Sequence, residues 1–302
     1  MFTMMNRARL ATGVQGVAVA ERAYQQALAF AQERLQGRAR GAASTSPLID
    51  HPDVRRMLMT MRALTAAARA IAYVTAEAIE RAERSGDPAA EARADLLTPV
   101  TKAFCSDIGT EVASLGIQVH GGMGYIEETG AAQHLRDVRV ASIYEGTNGI
   151  QAIDLVTRKL PRQDGAMVRT IIAEWGAIIA QAAAVNEPVL GRLASRTSEA
   201  LAALEEATVW LLAPERDQEE VLAGASPYLR LFGLAAGGAL LAKGALAALG
   251  QERAGAGDPI HRAHIVTARF YAENLATGAA GLARTVIEGG GAIREARNAL
   301  IT

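Results

Sequence analysis

The sequence predicts an all-α protein, and three observations carry that reading. About a fifth of the residues are alanine, with Leu, Arg and Glu also abundant, which is the composition of helix formers. Only 4% are aromatic, and the β-branched residues that fill strands are scarce by comparison. Apolar residues recur at intervals of three and four over long stretches. The chain has 302 residues, which at roughly 150 residues per domain suggests two domains. It is long enough to bury a core without a disulfide or metal staple. A single cysteine, Cys105, excludes an internal disulfide and a zinc ribbon and fits a reducing compartment.

Residues 1–6 match neither a signal nor a transit peptide, and the chain enters a helical pattern at once, as in mid-domain. The first helix is expected over 9–36, where Val14, Val17, Ala20, Tyr24, Ala27, Leu28, Ala31 and Leu35 mark one face. A polar loop at 37–46 ends at Pro47. Asp50 and Pro52 start a second helix that runs to about Arg84. Ser85-Gly86-Asp87-Pro88 closes it, and a third covers 89–119. A glycine-rich loop at 121–124 follows, then a short helix at 131–140. Another helix begins near Asn148, with Thr147 or Asn148 as N-cap, and ends before Pro161. The Pro/Gly/charged stretch 161–165 separates a domain at 1–161 from a second at 166–302. In the latter, helices are expected at 167–185, 191–213, 227–250 and 259–287, with Gly289-Gly290-Gly291 as a stop. Short connections make both units antiparallel bundles, the first a four-helix bundle.

The charge balance, 31 Lys+Arg against 32 Asp+Glu, argues against nucleic acid as a partner. The apolar segment 231–242 holds about a dozen residues before Lys243, too few to span a bilayer. Gly233 and Gly237 within it point to close helix packing.

Three constellations could carry chemistry. The first is the loop pair at 120–125 and 144–149, where glycines stand beside polar side chains at helix ends. Glycines let the backbone approach a ligand, and helix N-termini favour phosphate. Glu145 there could be a base, if apolar neighbours surround it. On spacing alone the glycines serve equally to turn the chain, and Glu145 reads as a solvated carboxylate. The dinucleotide fingerprint is absent. The second is His261 and His264, at metal-ligand spacing but with no third ligand close in sequence, so surface or interhelical histidines are expected. The third is Glu127-Glu128, whose side chains point apart as solvated acids. Cys105, Trp175 and Trp210 read as core residues.

Five ordered strings go further: ERLQG at 33–37, TKAFCSD at 101–107, QVHGGMGY at 118–125, LRD at 135–137 and IYEGTNGIQ at 143–151. Through them the first 160 residues resemble the C-terminal helical domain of acyl-CoA dehydrogenases. Residues from about 165 onward resemble, by position and composition, the helical C-terminal extension of larger bacterial members. The resemblance implies oxidation of an acyl-CoA to the trans-2-enoyl-CoA with FAD as hydride acceptor, in fatty acid β-oxidation. Electrons then pass to electron-transfer flavoprotein. Glu145 is implied as the base for the α-proton, with its backbone N–H polarising the thioester carbonyl. Tyr144, Gly146 and Arg9 are implied on the substrate side, Arg9 by counting back one helix from Arg34. For FAD, the pattern implicates Arg34, Gln36, Gln118, Gly122 and Thr147, some of them across a dimer interface onto a neighbour's flavin. Gly149 stands where many relatives carry Gln, so a cofactor contact is either lost there or moved to Asn148. The 37–46 loop is longer than the family turn.

The resemblance further implies a homodimer or dimer of dimers in the bacterial cytoplasm. Nothing in the chain resembles the family's N-terminal helical and middle β domains, so an isolated chain is expected to be nearly inactive. The rival expectation is a non-catalytic helical oligomerisation module. A nitroalkane-oxidase-type relative would carry Asp as base, and Glu145 speaks against it.

Overall fold

A computed structural model describes residues 2–185, 187–255 and 257–301. Among the described residues the chain is helical, with one isolated antiparallel bridge between Leu35 and Pro47. The first half contains α1 (Phe2–Glu33), α2 (Pro52–Ser85), α3 (Pro88–His120), α4 (Gly122–Tyr125), α5 (Ala131–Arg139) and α6 (Asn148–Asp154). The second contains α7 (Ala166–Val185), α8 (Leu193–Leu212), α9 (Gln218–Ala223), α10 (Ala225–Arg253), α11 (Pro259–Asn274), α12 (Ala279–Glu288) and α13 (Gly290–Leu300).

Local chemistry explains the boundaries. Gly86 ends α2 at φ +62°, and the Asp87 carboxylate caps α3 at the Ala89 N–H, with Pro88 in the first turn. Asp258 and Pro259 start α11 in the same way. Gln163, Asp164 and Gly165 are all left-handed, which turns the chain sharply between the halves. Arg162 and Lys159 tie this segment to Asp95 of α3, at 2.7 and 3.0 Å.

Helix α3 is the axis of the first half. Gly13 and Gly16 of α1 lie against it so closely that a Cβ on Gly16 would stand 2.5 Å from the Cys105 carbonyl oxygen. The second half joins the same core, which runs from Val17 of α1 to Val286 of α12. Its central element is α10, with Tyr228, Leu231, Phe232, Ala235 and Ala239 buried. Gly233 and Gly237 do pack closely: a Cβ on Gly233 would meet the Phe104 ring at 2.1 Å, and one on Gly237 would meet Ala67 Cβ at 2.8 Å. The Arg162–Val185 and Ala225–Arg253 helices are long and apolar enough to cross a membrane by length and composition. Two thirds of the second one's apolar window is buried in this core.

Several elements differ from expectation. The glycine-rich segment at 121–124 is not all loop, because Gly122–Tyr125 closes one helical turn. The helix expected at 259–287 breaks at Asn274, whose side chain donates to the Phe270 carbonyl (3.1 Å) ahead of a 3-10 turn at Ala276–Gly278. The short helix α9 was not expected; Asp217 caps it at the Glu219 and Glu220 N–H groups. The glycines at 289–291 end α12 but also open α13. Below Asn148, α6 passes into a π turn at Leu155–Lys159.

Gly233→Ala should cost about 1–3 kcal/mol by overpacking Phe104. Gly244→Ala, on the same helix but with no atom within 4 Å of the added Cβ, should stabilise by about 0.4–1 kcal/mol. Urea midpoints of the two variants test this, and equal midpoints would refute it.

Candidate functional site

The residues singled out in the sequence gather at two stations along α3. The first is the turn between α5 and α6. Ile143 and Tyr144 donate backbone N–H bonds to the Val140 carbonyl (2.9 and 3.1 Å), closing the segment that precedes it. The chain then takes two consecutive left-handed residues, Glu145 at φ +58° and Gly146 at φ +84°. Glycine adopts this freely, but a glutamate does so at a cost of about 1–2 kcal/mol. Such strain persists only where the surroundings over-determine it.

Those surroundings are specific. The Tyr144 hydroxyl donates to Gln15 Oε1 of α1 (2.5 Å). Gln151, fully buried, donates its Nε2–H to the Glu145 carbonyl (3.2 Å). A Cβ at Gly146 would collide with that same amide at 2.8 Å. Thr147 is the N-cap of α6 and accepts from the Ile150 N–H at 3.3 Å. Glu145 is half-buried, while Tyr144 and Thr147 are exposed. The turn therefore presents a carboxylate beside the N-terminus of α6 with one side open.

Asn148 faces inward. Its Oδ1 accepts from Lys102 Nζ (2.8 Å), and its Nδ2 donates to Asp107 Oδ1 (2.7 Å), Ser106 Oγ (2.9 Å) and the Ala103 carbonyl (3.2 Å). Lys102 is fully buried, and burial pushes its amine down to about 8, against the pull of Asp107 and Glu145. Burial likewise raises the Asp107 carboxyl, with the Asn148 hydrogen bond opposing. Arg9 lies on the same seam. Its Nη1 is 3.6 Å from Asp154 Oδ2 of α6, and its charge adds to the lowering of Lys102.

The second station is a cleft of about 700 Å³ at the far end of α3. Arg34, Gln36, Gln118 and Gly122 all line it, with Phe30, His51 and His120. His120 stacks on Phe30 at 4.5 Å, and its Nδ1 lies 2.7 Å from the Gly116 carbonyl. His51 Nε2 donates to the Gln36 carbonyl (2.8 Å), which anchors the loop after α1. A Cβ on Gly121 or Gly122 would meet nothing within 4 Å, so the backbone there is open to a ligand. Twelve residues separate Ser106 from Gln118, so the stations are roughly 18 Å apart along the helix.

The other constellations do not assemble. Among the described residues, no three of His, Cys, Asp and Glu gather as a metal site. Glu127 pairs with Arg136 at 3.3 Å on the surface. Cys105 is buried, its thiol directed to the Ala68 carbonyl (3.3 Å). Trp175 packs edge-on against Phe232 in the core, whereas Trp210 is only half-buried beneath Arg216.

Residues 1–160 match the family model for the C-terminal domain of acyl-CoA dehydrogenase. The chain belongs to the acyl-CoA dehydrogenase family. Residues 167–296 match a second model, acetyl-CoA dehydrogenase C-terminal like. The chain is 45% identical over 285 residues to 3-methylmercaptopropionyl-CoA dehydrogenase of Ruegeria pomeroyi, covering 91% of this chain and 48% of that protein. It is 32% identical over 307 residues to a butyryl-CoA dehydrogenase of Syntrophomonas wolfei, covering 93% and 47%. The chain thus spans about half the length of these curated relatives. Two solved structures share the fold. Caenorhabditis elegans ACDH-11 in complex with C11-CoA superposes with TM-score 0.72 at 19% identity, over 94% of this chain and 47% of that one. Acyl-CoA dehydrogenase from Bacillus anthracis complexed with FAD gives 0.71 at 18%, over 99% and 52%.

Lys102, Gln151 and Gln15 were not singled out in the sequence. Lys102 had one available signal, a lone charge within the otherwise uncharged run 96–106 of a family-like acyl-CoA dehydrogenase helix. Gln151 closes the IYEGTNGIQ string, six residues after Glu145, but its grip on the Glu145 carbonyl depends on the fold.

In the folded chain the Lys102 amine loses its proton near pH 8, against an ordinary 10.5. Between those values the unfolded chain binds more protons, so this group makes stability rise with pH. Wild type should gain stability relative to Lys102→Met between pH 8 and 10, read from urea midpoints; parallel pH profiles would contradict it.

Proposed function

We propose that this chain carries the base-bearing part of an FAD-dependent acyl-CoA dehydrogenase, with Glu145 as the base. The observation that carries the reading is the left-handed turn at Glu145. A strained, half-buried carboxylate beside a helix N-terminus suits proton abstraction next to a carbonyl that needs polarising. Glu145 takes the proton from the α-carbon of the acyl thioester as the Cα–Cβ double bond forms. FAD held by Arg34, Gln36, Gln118 and Gly122 would supply a hydride acceptor for the β-carbon. The Glu145 N–H donates to the thioester oxygen, where charge develops. Gly146 lets the Gln151 amide close on the turn beneath the thioester, and Tyr144 and Arg9 flank it.

The residues of the second station fit FAD on one observation. A guanidinium, two carboxamides and an open glycine backbone converge on one cleft, a donor set suited to phosphate and ribose oxygens. Arg34, Gln36, Gln118 and Gly122 would hold the cofactor there, and Thr147 would meet it at the first station. Asn148 is already committed to α3, so we assign it to the support of the turn rather than to the flavin. Exposed Met123, Tyr125, Val140, Ile143 and Ile150 lie in and between the two stations in sequence. They support a homodimer or dimer of dimers, in which some of these residues serve a neighbour's flavin. Electron-transfer flavoprotein is the proposed electron acceptor, and the cytoplasm the proposed compartment.

The 45% identity with the Ruegeria enzyme and the match to a butyryl-CoA dehydrogenase support a short acyl-CoA as substrate. The 302-residue chain alone should oxidise little, because the turn has one side open to water. In an enzyme containing it, 3-methylmercaptopropionyl-CoA or butyryl-CoA should bleach the flavin band without oxygen, and Glu145→Gln should slow bleaching by about 10²–10⁴-fold. Unchanged bleaching in Glu145→Gln would refute the base assignment, and no bleaching by either protein would instead favour the non-catalytic oligomerisation module.

A further inference from the structure

Lys102 is a buried cation in a place where an apolar side chain would cost less. It sits at 0% exposure on a stretch of α3 whose chain neighbours Val100, Ala103 and Phe104 are also fully buried. Among the described residues no carboxylate lies within 4 Å of its Nζ, so no ion pair offsets the desolvation. Arg9 on α1 opposes its charge, while Asp107 on α3 and Glu145 on the turn favour it from farther off. Its hydrogen bond goes to Asn148 Oδ1, at 2.8 Å.

Asn148 is the first residue of α6. Its carboxamide is saturated by α3, since Oδ1 also accepts from Ser106 Oγ (3.3 Å) and Nδ2 has three acceptors. Three residues on, Gln151 holds the Glu145 carbonyl. A chain of contacts therefore runs from Lys102 through Asn148 and the first turn of α6 to the strained residue. We propose that Lys102 is a positioning residue for Glu145: through Asn148 it clamps the first turn of α6 onto α3 and holds the Glu145–Gly146 turn in its left-handed shape. This rests on reading Glu145 as the base.

The clamp is tested on the 302-residue chain by hydrogen exchange with mass spectrometry. Lys102→Met should speed exchange in 143–151 by about tenfold, the scale of one charge-assisted hydrogen bond, and leave peptides of α2 and α10 unchanged. Asn148→Ala should do the same, and the double variant should be no faster than either single. Unchanged exchange at 143–151, or effects that multiply in the double variant, would overturn the clamp. If Lys102→Met does not fold, Asn148→Ala alone decides, by the same criterion. In the flavin-loaded enzyme, Lys102→Met should lower kcat by about tenfold or more with KM changed little. A loosened turn with kcat intact would overturn the positioning role. Turnover surviving in Glu145→Gln would refute the base assignment instead, leaving the exchange result to stand or fall on its own.

Discussion

The backbone-to-backbone contact between α1 and α3 is the constraint on which the rest depends. Gly13 and Gly16 let α1 lie against the Thr101 and Cys105 carbonyls, a distance no side chain at those positions would allow. Gly109 meets Gly16 one turn further along α3. With α1 this close, Gln15 reaches Tyr144 and Arg9 reaches Asp154, so both flanks of the Glu145 turn are held from α1. The polar face of α3, Lys102 to Asp107, is then left to meet α6.

The second half contributes to the same place. Gly233 of α10 seats the Phe104 ring, and Arg230 lies 5.4 Å from that ring while pairing with Glu111 at 2.8 Å. Phe104 stands between Lys102 and Ser106 in sequence, so α3 is gripped by α1 and α10 over the very segment that supports Asn148. A matched family segment at 167–296 shares its core with the matched segment at 1–160.

The long helices were legible because their signals are local: an apolar period, a capping Asp, a Pro in the first turn. What escaped was also physical. α9 and α13 are short, and α13 opens on glycines that read as a stop. The break at Asn274 depends on a side chain competing for a carbonyl within an otherwise helical pattern. At the site, spacing alone left Glu145 open between a base and a solvated acid. The family strings made it the base candidate, but they pointed Asn148 toward the cofactor. The fold turned that carboxamide inward, because Lys102, Ala103, Ser106 and Asp107 of α3 were waiting for it.

Strain and buried charge coincide at one turn. Glu145 is left-handed without the exemption glycine enjoys, and Lys102 is desolvated without an ion-pair partner. Either alone would read as a local defect. A helix N-terminus lies between them, and a cation beneath a helix N-terminus is itself unfavourable, since the dipole there is already positive. That positive end and the buried ammonium together make the region a place where negative charge is welcome. The fold meets this with one carboxylate at the turn and leaves the adjoining space open. An incoming group that develops negative charge on an oxygen would be stabilised there without any rearrangement of the protein. The unfavourable terms together amount to an electrostatic preference for negative charge at this turn, set in place by folding.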